Sequence, residues 1–348
     1  MKTRIKKSFI CSDVDTYQVD TTRPQYYVPQ VGDVAIFEIL SIGKHTKMQS
    51  ANRRNVSLMP GDQIMAAFGT RYATGQFEGY VPDTIQQEFH ILGGGGTVGH
   101  VHSMHSKFHR IGPTCLRIVG YATNAAGEVI NTKRLKAEQM HTFSGASASF
   151  TKVILSVGSS MDSGKTTSAA YLVHGLKKQG KKVAYIKLTG TVYTKDADLA
   201  YDLGADIATD FSYFGYPSTY LCSETELLNL YESLLRLTLD NQPDYVVIEI
   251  ADGIIQRETK ILMTNHRFMN TVDEVIFSAG DSLAAIQGIQ TLESWGIIPT
   301  ALCGMFTASP LLVAEVKEHS SVPVYNLEDL TGEGAKQVIA RAQLRIAQ

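Results

Sequence analysis

Between Val153 and Leu176 the chain reads VILSVGSSMDSGKTTSAAYLVHGL: an apolar run, a turn of small polar residues, then an apolar run with helical spacing. Gly158, Ser159, Ser160, Met161, Asp162, Ser163, Gly164, Lys165, Thr166 and Thr167 occupy the turn. Residues of these types in this order suit one chemistry. A glycine-rich turn between a strand and a helix aims backbone N–H groups at an anion, and the helix start adds the positive end of its dipole. A lysine there reaches the β- and γ-phosphates of a nucleotide, and the hydroxyl after it ligates Mg²⁺. Lys165 and Thr166 are the two residues concerned. The spacing is G-x5-G-K-T, because Ser159 stands where the common GxxxxGK[ST] has its first glycine. A serine-rich helix cap with a stray lysine would leave the adjacency of Gly164, Lys165 and Thr166 unexplained.

Phosphoryl transfer needs charge neutralisation and in-line positioning more than a covalent group. A carboxylate beside the Thr166 hydroxyl would complete a metal site. Glu249, Asp196 and Asp198 are the candidates, with Asp252 as a further option. Ligands of open α/β sheets sit at the carboxyl ends of the strands. Glu249 lies at the carboxyl end of the strand expected from the run DYVVIEI and Asp244 at its start, which favours Glu249. Asp198 equally reads as a helix cap. Arg257 and Glu258 follow closely in DGIIQRET; an exposed ion pair on a helix is their plainer reading, contact with the γ-phosphate or substrate the other. The aromatic segment YFGYPSTYL (213–221) reads as a pocket wall or as a packed loop.

These residues require a strand that ends at Gly158 and a helix that starts near Thr166. Ala169, Leu172, Val173 and Leu176 recur at spacings that share one helical face, and Gly180 is a natural stop. From residue 152 onward the runs 152–157, 182–187, 244–250, 273–279, 300–305 and 322–327 read as strands. Between them 166–179, 224–239, 282–294 and 310–319 read as helices, with 333–346 as a terminal helix. The alternation predicts an α/β fold: a mostly parallel, P-loop (Rossmann-like) sheet with helices on both faces. Before residue 150 the signals are those of β structure, such as GDVAIFEILSIG and a Pro60-Gly61-Asp62 turn. The expected organisation is a loose N-terminal segment over 1–25 and a small β-rich, barrel-like or sandwich domain over 26–139. A polar linker over 140–151 and a P-loop NTPase domain over 152–348 follow. Lys2, Arg4, Lys6 and Lys7 read as a solvated, frayed start, and the apolar run of a signal peptide does not follow them.

The loop spacing also narrows the family. GSSMDSGKT (158–166) resembles the phosphate loop of dethiobiotin synthetases, GTDTEVGKT, which has five residues between its glycines and an acidic residue where Asp162 stands. KVAYIKLTG (182–190) is similar to that family's second strand, whose lysine helps hold substrate; the resemblance gives this role to Lys187. DADL (196–199) is similar to its Asp-Ala-Leu segment, whose aspartate helps bind metal, here Asp196. VVIEIADG (246–253) resembles its Val-Glu-Gly-Ala-Gly-Gly, where the glutamate lies near Mg²⁺, here Glu249. The resemblance spans residues 152–330. It implies ATP and Mg²⁺ as cofactors, a ligase- or kinase-type enzyme acting on a small-molecule acceptor, and a homodimer. It casts Lys165, Lys187 and Glu249 as catalytic, Gly158 to Thr167 as nucleotide-binding, and Thr166, Asp196 and Glu249 as metal ligands. The chain departs from the family at Ile250 and Asp252, which replace substrate-loop glycines, in the missing base-reading asparagine near 302–310, and in its front domain. Ser160 stands where partition and nitrogenase-reductase ATPases carry an extra lysine, which sets this chain apart from them.

A second unusual stretch, GGGGTVGHVHSMHSKFHR (93–110), holds His100, His102, His105 and His109. On a strand the first pair shares a face, and on a helix the second pair does. Either pair could ligate a divalent metal, but no cysteine or acidic partner is near in sequence; solvated or core-satisfied histidines are the plainer reading. Gly93 to Gly96 read as a turn between strands, or as a close approach to substrate. Arg71, Tyr72 and Glu78 are polar groups on a candidate pocket loop.

Composition limits the alternatives. The 348 residues carry 32 basic and 34 acidic side chains, a balance without a nucleic-acid or membrane-binding surface. No stretch has the length of a membrane span. Cys11, Cys115, Cys222 and Cys303 form no CxxC, which fits a reduced, cytoplasmic chain. No guanine-reading Asn-Lys-x-Asp occurs, which favours ATP over GTP. The leading expectation is an enzyme that uses ATP and Mg²⁺ to phosphorylate a small-molecule acceptor. The competing one is a nucleotide-hydrolysing regulator or metal-delivery protein, with the histidines carrying metal.

Overall fold

The computed structural model describes residues 4–344. The chain forms two compact units. One contains the chain up to Met140 together with Gly190–Thr194 and Phe211–Leu221. The other contains His141–Thr189, Lys195–Asp210 and the chain from Cys222 onward.

The second unit is an α/β fold. Its strands are β1 (Lys152–Gly158), β2 (Val183–Lys187), β3 (Ile207–Asp210), β4 (Tyr245–Glu249), β5 (Glu274–Ser278) and β6 (Ala301–Cys303). They pair in the order 3-2-4-1-5-6, every pairing parallel. Helices α1 (Lys165–Lys178), α2 (Lys195–Asp202) and α3 (Glu224–Leu239) follow β1, β2 and β3 in the chain. Ile154, Tyr185, Val247 and Ile276 pack against Leu172, Val173 and Leu176 of α1. The alternate strand residues Val153, Leu155, Val246 and Ile248 are equally buried, so both faces of the sheet are covered, as a parallel sheet requires.

Three expectations for this unit need correction. The run 322–327 makes only an isolated bridge between Leu302 and Val324. The chain then turns into a short helix at Asn326, whose side chain and that of Asp329 form a capping box. The segment 140–151 is not a linker. Ser144 N and Gly145 N donate to Glu232 Oε2 at 3.2 and 3.0 Å, the Ser144 and Ser147 hydroxyls donate to Glu232 Oε1, and Arg236 Nε donates to the same oxygen at 3.3 Å. A buried carboxylate on α3 needs such donors, and the small polar segment provides them. The sequence pattern also missed α2 and β3, both too short for a clear period. The terminal helix is Glu333–Leu344; positions 345 and 346 lie outside the described residues.

The first unit is a barrel. Gln63–Phe68 pairs with Val34–Ser41, which pairs with Cys115–Thr123; this strand pairs with Glu88–Gly93, and that with Thr97–Met104. Thr97–Met104 returns to Gln63–Phe68 by a parallel pairing and closes the ring. The interior is filled by Phe37, Phe68, Phe89 and Tyr121, with ring centroids 5.0 to 6.0 Å apart. The start of the chain is not loose: Ile5–Lys7 adds in parallel to Gln63–Met65, Lys6 pairs with Asp62, and Gln18–Asp20 pairs with Tyr121–Thr123. Basic residues are common on such edge strands. Lys2 lies outside the described residues.

Candidate functional site

Within the α/β unit, β1 ends at Gly158, the polar turn follows, and α1 begins at Lys165. The turn is tied to neighbouring strand ends. Ser159 N donates to Ser278 O of β5 at 2.9 Å, Ile254 N to Gly158 O at 2.9 Å, and Met305 N to Ser163 O at 3.1 Å. Two left-handed residues shape it, Asp162 at φ 63° and Gly164 at φ 96°. A side chain at Gly164 would also put a Cβ 3.0 Å from Gly304 Cα, so the position demands glycine. Gly253, just after β4, has the same constraint from contact: its Cβ would fall 2.4 Å from Ser159 O. This strand–loop–helix has the form of a phosphate-binding loop, at the carboxyl end of a parallel sheet in an α/β unit.

Lys165 is 6% exposed, and its ammonium donates to Ser160 O at 2.9 Å, across its own loop. Burial pulls its pKa down; Glu249 and Asp252 oppose the shift, Lys187 adds to it, and Asp162 opposes it. Thr166 Oγ1 donates to Glu249 Oε1 at 2.8 Å. Glu249 is buried at the end of β4, and its Oε2 accepts from the Tyr185 hydroxyl of β2. Tyr185 is fully buried, and burial, with the charge and hydrogen bond of Glu249, pushes its phenol well above the usual range. The carboxylate is thus held at both oxygens and aimed at the first turn of α1.

The structure therefore brings Lys165, Thr166 and Glu249 together. Lys187, beside Glu249 in strand register, pairs instead with Asp196 in the first turn of α2. Asp198 shares that turn, and Asp244 sits at the opposite end of β4, where it accepts from Lys182 N at 2.8 Å. Arg257 pairs with Glu258, and Glu258 is buried rather than exposed. Tyr185 was missed by sequence reasoning; the one hint was a tyrosine inside the apolar run KVAYIK.

The donor set fits a nucleotide phosphate chain with Mg²⁺. Ser159 Oγ and Ser163 Oγ are buried in the turn and make no hydrogen bond among the described residues. A buried ammonium, two such hydroxyls and a threonine hydroxyl beside a carboxylate are what a polyphosphate and its metal need.

In the barrel unit, His100 and His102 lie on the strand Thr97–Met104. His100 Nε2 is 2.7 Å from Glu88 O, His102 packs edge-on to Tyr80, and His105 accepts from Lys107 N. Among the described residues no group of three or more His, Cys, Asp or Glu is placed to hold a metal. No helix among them is long and apolar enough to cross a membrane.

No protein-family model matches the chain, and no curated protein matches it. Among solved structures, the signal recognition particle receptor FtsY from Elizabethkingia anophelis in complex with GDP is similar at 18% identity and a TM-score of 0.38. That match spans 56% of this chain and 64% of the receptor chain. A second structure of that receptor matches at 17% identity and a TM-score of 0.37, over 62% of this chain and 75% of that one. A DUF1611 family protein from Anabaena variabilis matches at 13% identity and a TM-score of 0.41, over 58% and 61%.

Proposed function

We propose that this protein is an Mg²⁺-dependent enzyme that binds ATP at the 158–167 turn and transfers the γ-phosphoryl group to a small-molecule acceptor. The chemistry is of the dethiobiotin-synthetase-like ligase or kinase kind. The observation that carries the reading is the junction of Lys165, Thr166 and Glu249 at one strand end. Loop N–H groups and Lys165 neutralise the phosphates. Thr166 and Glu249 would hold Mg²⁺, which would supply positive charge against the phosphate oxygens. Asp196 would be a further ligand for the metal and Lys187 would hold the acceptor; the two residues pair with each other at the same strand end. An acceptor oxygen, a carboxylate or carbamate, attacks the γ-phosphorus in line, and ADP leaves. A homodimer belongs to the same reading.

The test is nucleotide hydrolysis with Mg²⁺, ATP against GTP, alone and then with a panel of carboxylates, amines and bicarbonate, with Lys165→Ala as control. Turnover that rises with one acceptor and vanishes in Lys165→Ala supports the reading. Lys165-dependent hydrolysis indifferent to every acceptor would favour the nucleotide-hydrolysing regulator instead.

A further inference from the structure

In the barrel unit the short strand Phe77–Tyr80 pairs antiparallel with Arg71–Tyr72 on one side and with Thr97–Met104 on the other. Tyr72 lies opposite Glu78 on the first side. On the second, the register shifts between Val101 and Ser103, which sets Ser103 rather than His102 opposite Glu78. Side chains alternate along a strand, so Glu78 and Tyr80 share the half-buried face while Phe77 and Gly79 are buried on the other. Tyr220, from the segment Phe211–Leu221 of the same unit, joins that face. Its ring centroid is 5.3 Å from that of Tyr72 and 5.9 Å from that of Tyr80.

Three hydroxyls converge on the carboxylate. Those of Tyr80 and Tyr220 donate to Glu78 Oε1, the latter at 3.2 Å, and Ser103 Oγ donates to Oε2 at 2.9 Å. They keep the group ionised, and its pKa lies below the usual range, chiefly through the Tyr80 hydrogen bond. They do not neutralise it, and no Lys or Arg among the described residues forms an ion pair with Glu78. Oε2, with one donor, keeps lone-pair capacity for another. The rings of Tyr72, Tyr80 and Tyr220 border this charge, all of them half-buried, and their faces are themselves negative. A metal ion would need more ligands: among the described residues no group of three or more His, Cys, Asp or Glu is placed to hold one. A fixed carboxylate beside aromatic faces suits an organic cation instead, with charge for the nitrogen and apolar contact for the carbon attached to it.

We propose that the face formed by Tyr72, Glu78, Tyr80 and Tyr220 binds a small organic ammonium ion, its charge beside Glu78 and its alkyl part against the tyrosine rings. The site lies wholly in the barrel unit and rests on no part of the nucleotide reading.

The decisive variant is Glu78→Gln. Its amide oxygen still accepts from the same hydroxyls, so the strand pairing persists while the charge is gone. Tyr72→Leu does the converse: it removes a ring and leaves the carboxylate with all three donors. Binding is read by calorimetry and ligand-observed NMR on the full chain, with butylamine, putrescine, choline and tetramethylammonium as probes and 1-butanol as the uncharged control. The expected result is that at least one cation binds and butanol does not. Glu78→Gln should weaken that binding by at least about tenfold, and Tyr72→Leu by about threefold or more. Tighter binding of the primary amines would mark N–H donation to Oε2, and tighter binding of the quaternary ions would mark the rings; either supports the site. The proposal is overturned if no cation binds, if butanol binds as well as the cations, or if binding survives Glu78→Gln. Should melting curves show that Glu78→Gln does not fold, unchanged binding in Tyr72→Leu overturns it instead.

Discussion

Tyr185 donates its hydroxyl to Glu249 across two adjacent parallel strands, from a position with no solvent exposure. Glu249 has Thr166 on its other oxygen, 2.8 Å away. On the proposed function, a carboxylate positioned this firmly would not need to reorganise when a metal arrives, which makes Tyr185 a positioning residue in that reading. Removing its hydroxyl in Tyr185→Phe leaves a buried oxygen of Glu249 without its donor, at a cost of about 1–3 kcal/mol. Thermal melting should report that loss. Titration of Mg²⁺ in the nucleotide assay should show a requirement raised about tenfold with kcat changed far less. An unchanged Mg²⁺ requirement would reduce Tyr185 to a packing role.

Lys165 and Gly164 separate charge from shape at the same turn. Lys165→Ala removes the buried ammonium but keeps the backbone, so turnover should fall at least about a hundredfold while the fold persists. Gly164→Ala keeps the ammonium and forces a side chain into a left-handed residue at φ 96°. It should cost about 1–3 kcal/mol of stability and abolish nucleotide binding together. Fluorescent-nucleotide binding beside a melting curve distinguishes the two. Equal melting temperatures for both variants would show that the turn tolerates the strain.

The turn was legible in the sequence because everything that makes it is contiguous: a strand, two glycines, a lysine and threonines, then a helix. Glu249 was legible for a related reason, since a carboxylate at the end of an apolar run must sit at a strand end. What escaped was made by partners distant in sequence. Ser144 and Gly145 looked like linker because their acceptor, Glu232, lies more than eighty residues away. Residues 5–7 looked frayed because three residues carry no period, and the strand they join starts at Gln63. Segments 190–194 and 211–221 belong with the barrel, although they interrupt the α/β pattern. Arg71 was singled out as a polar pocket residue but could not be ranked, because Lys44 and Gln76 meet it only in the folded barrel.

Glu232 gives a prediction about acid. Burial alone would raise its pKa, but the hydrogen bonds from Ser147, Gly145, Ser144 and Arg236 outweigh that and hold it below the ordinary value of about 4.3. A carboxylate lowered on folding contributes stability that is present above its unfolded value and is lost as pH falls through the folded one. Glu232→Gln should therefore cost about 2–3 kcal/mol at pH 7, and the gap from the wild type should narrow below pH about 4. Melting temperatures of the pair from pH 7 to pH 3 check this. A gap constant with pH would mean that the carboxylate's charge contributes nothing.

Lys44 gives the opposite sign. Burial first, with Arg71 and Lys107 beside it, brings its pKa down to about 7. His45, next to it in the chain, is held well below its usual value by burial, so it stays neutral through the same range. Arg71 stays charged throughout. The unfolded lysine titrates near pH 10.4, so between about 7 and 10 the native chain binds fewer protons than the unfolded one. Stability from this group therefore rises with pH across that window, the reverse of a lysine that has gained a carboxylate. Lys44→Met removes the group, so it should be more stable than the wild type near pH 7, with the gap narrowing as pH rises toward about 10. Melting temperatures of the pair across that range check this, and a gap constant with pH would show that Lys44 does not titrate in the window.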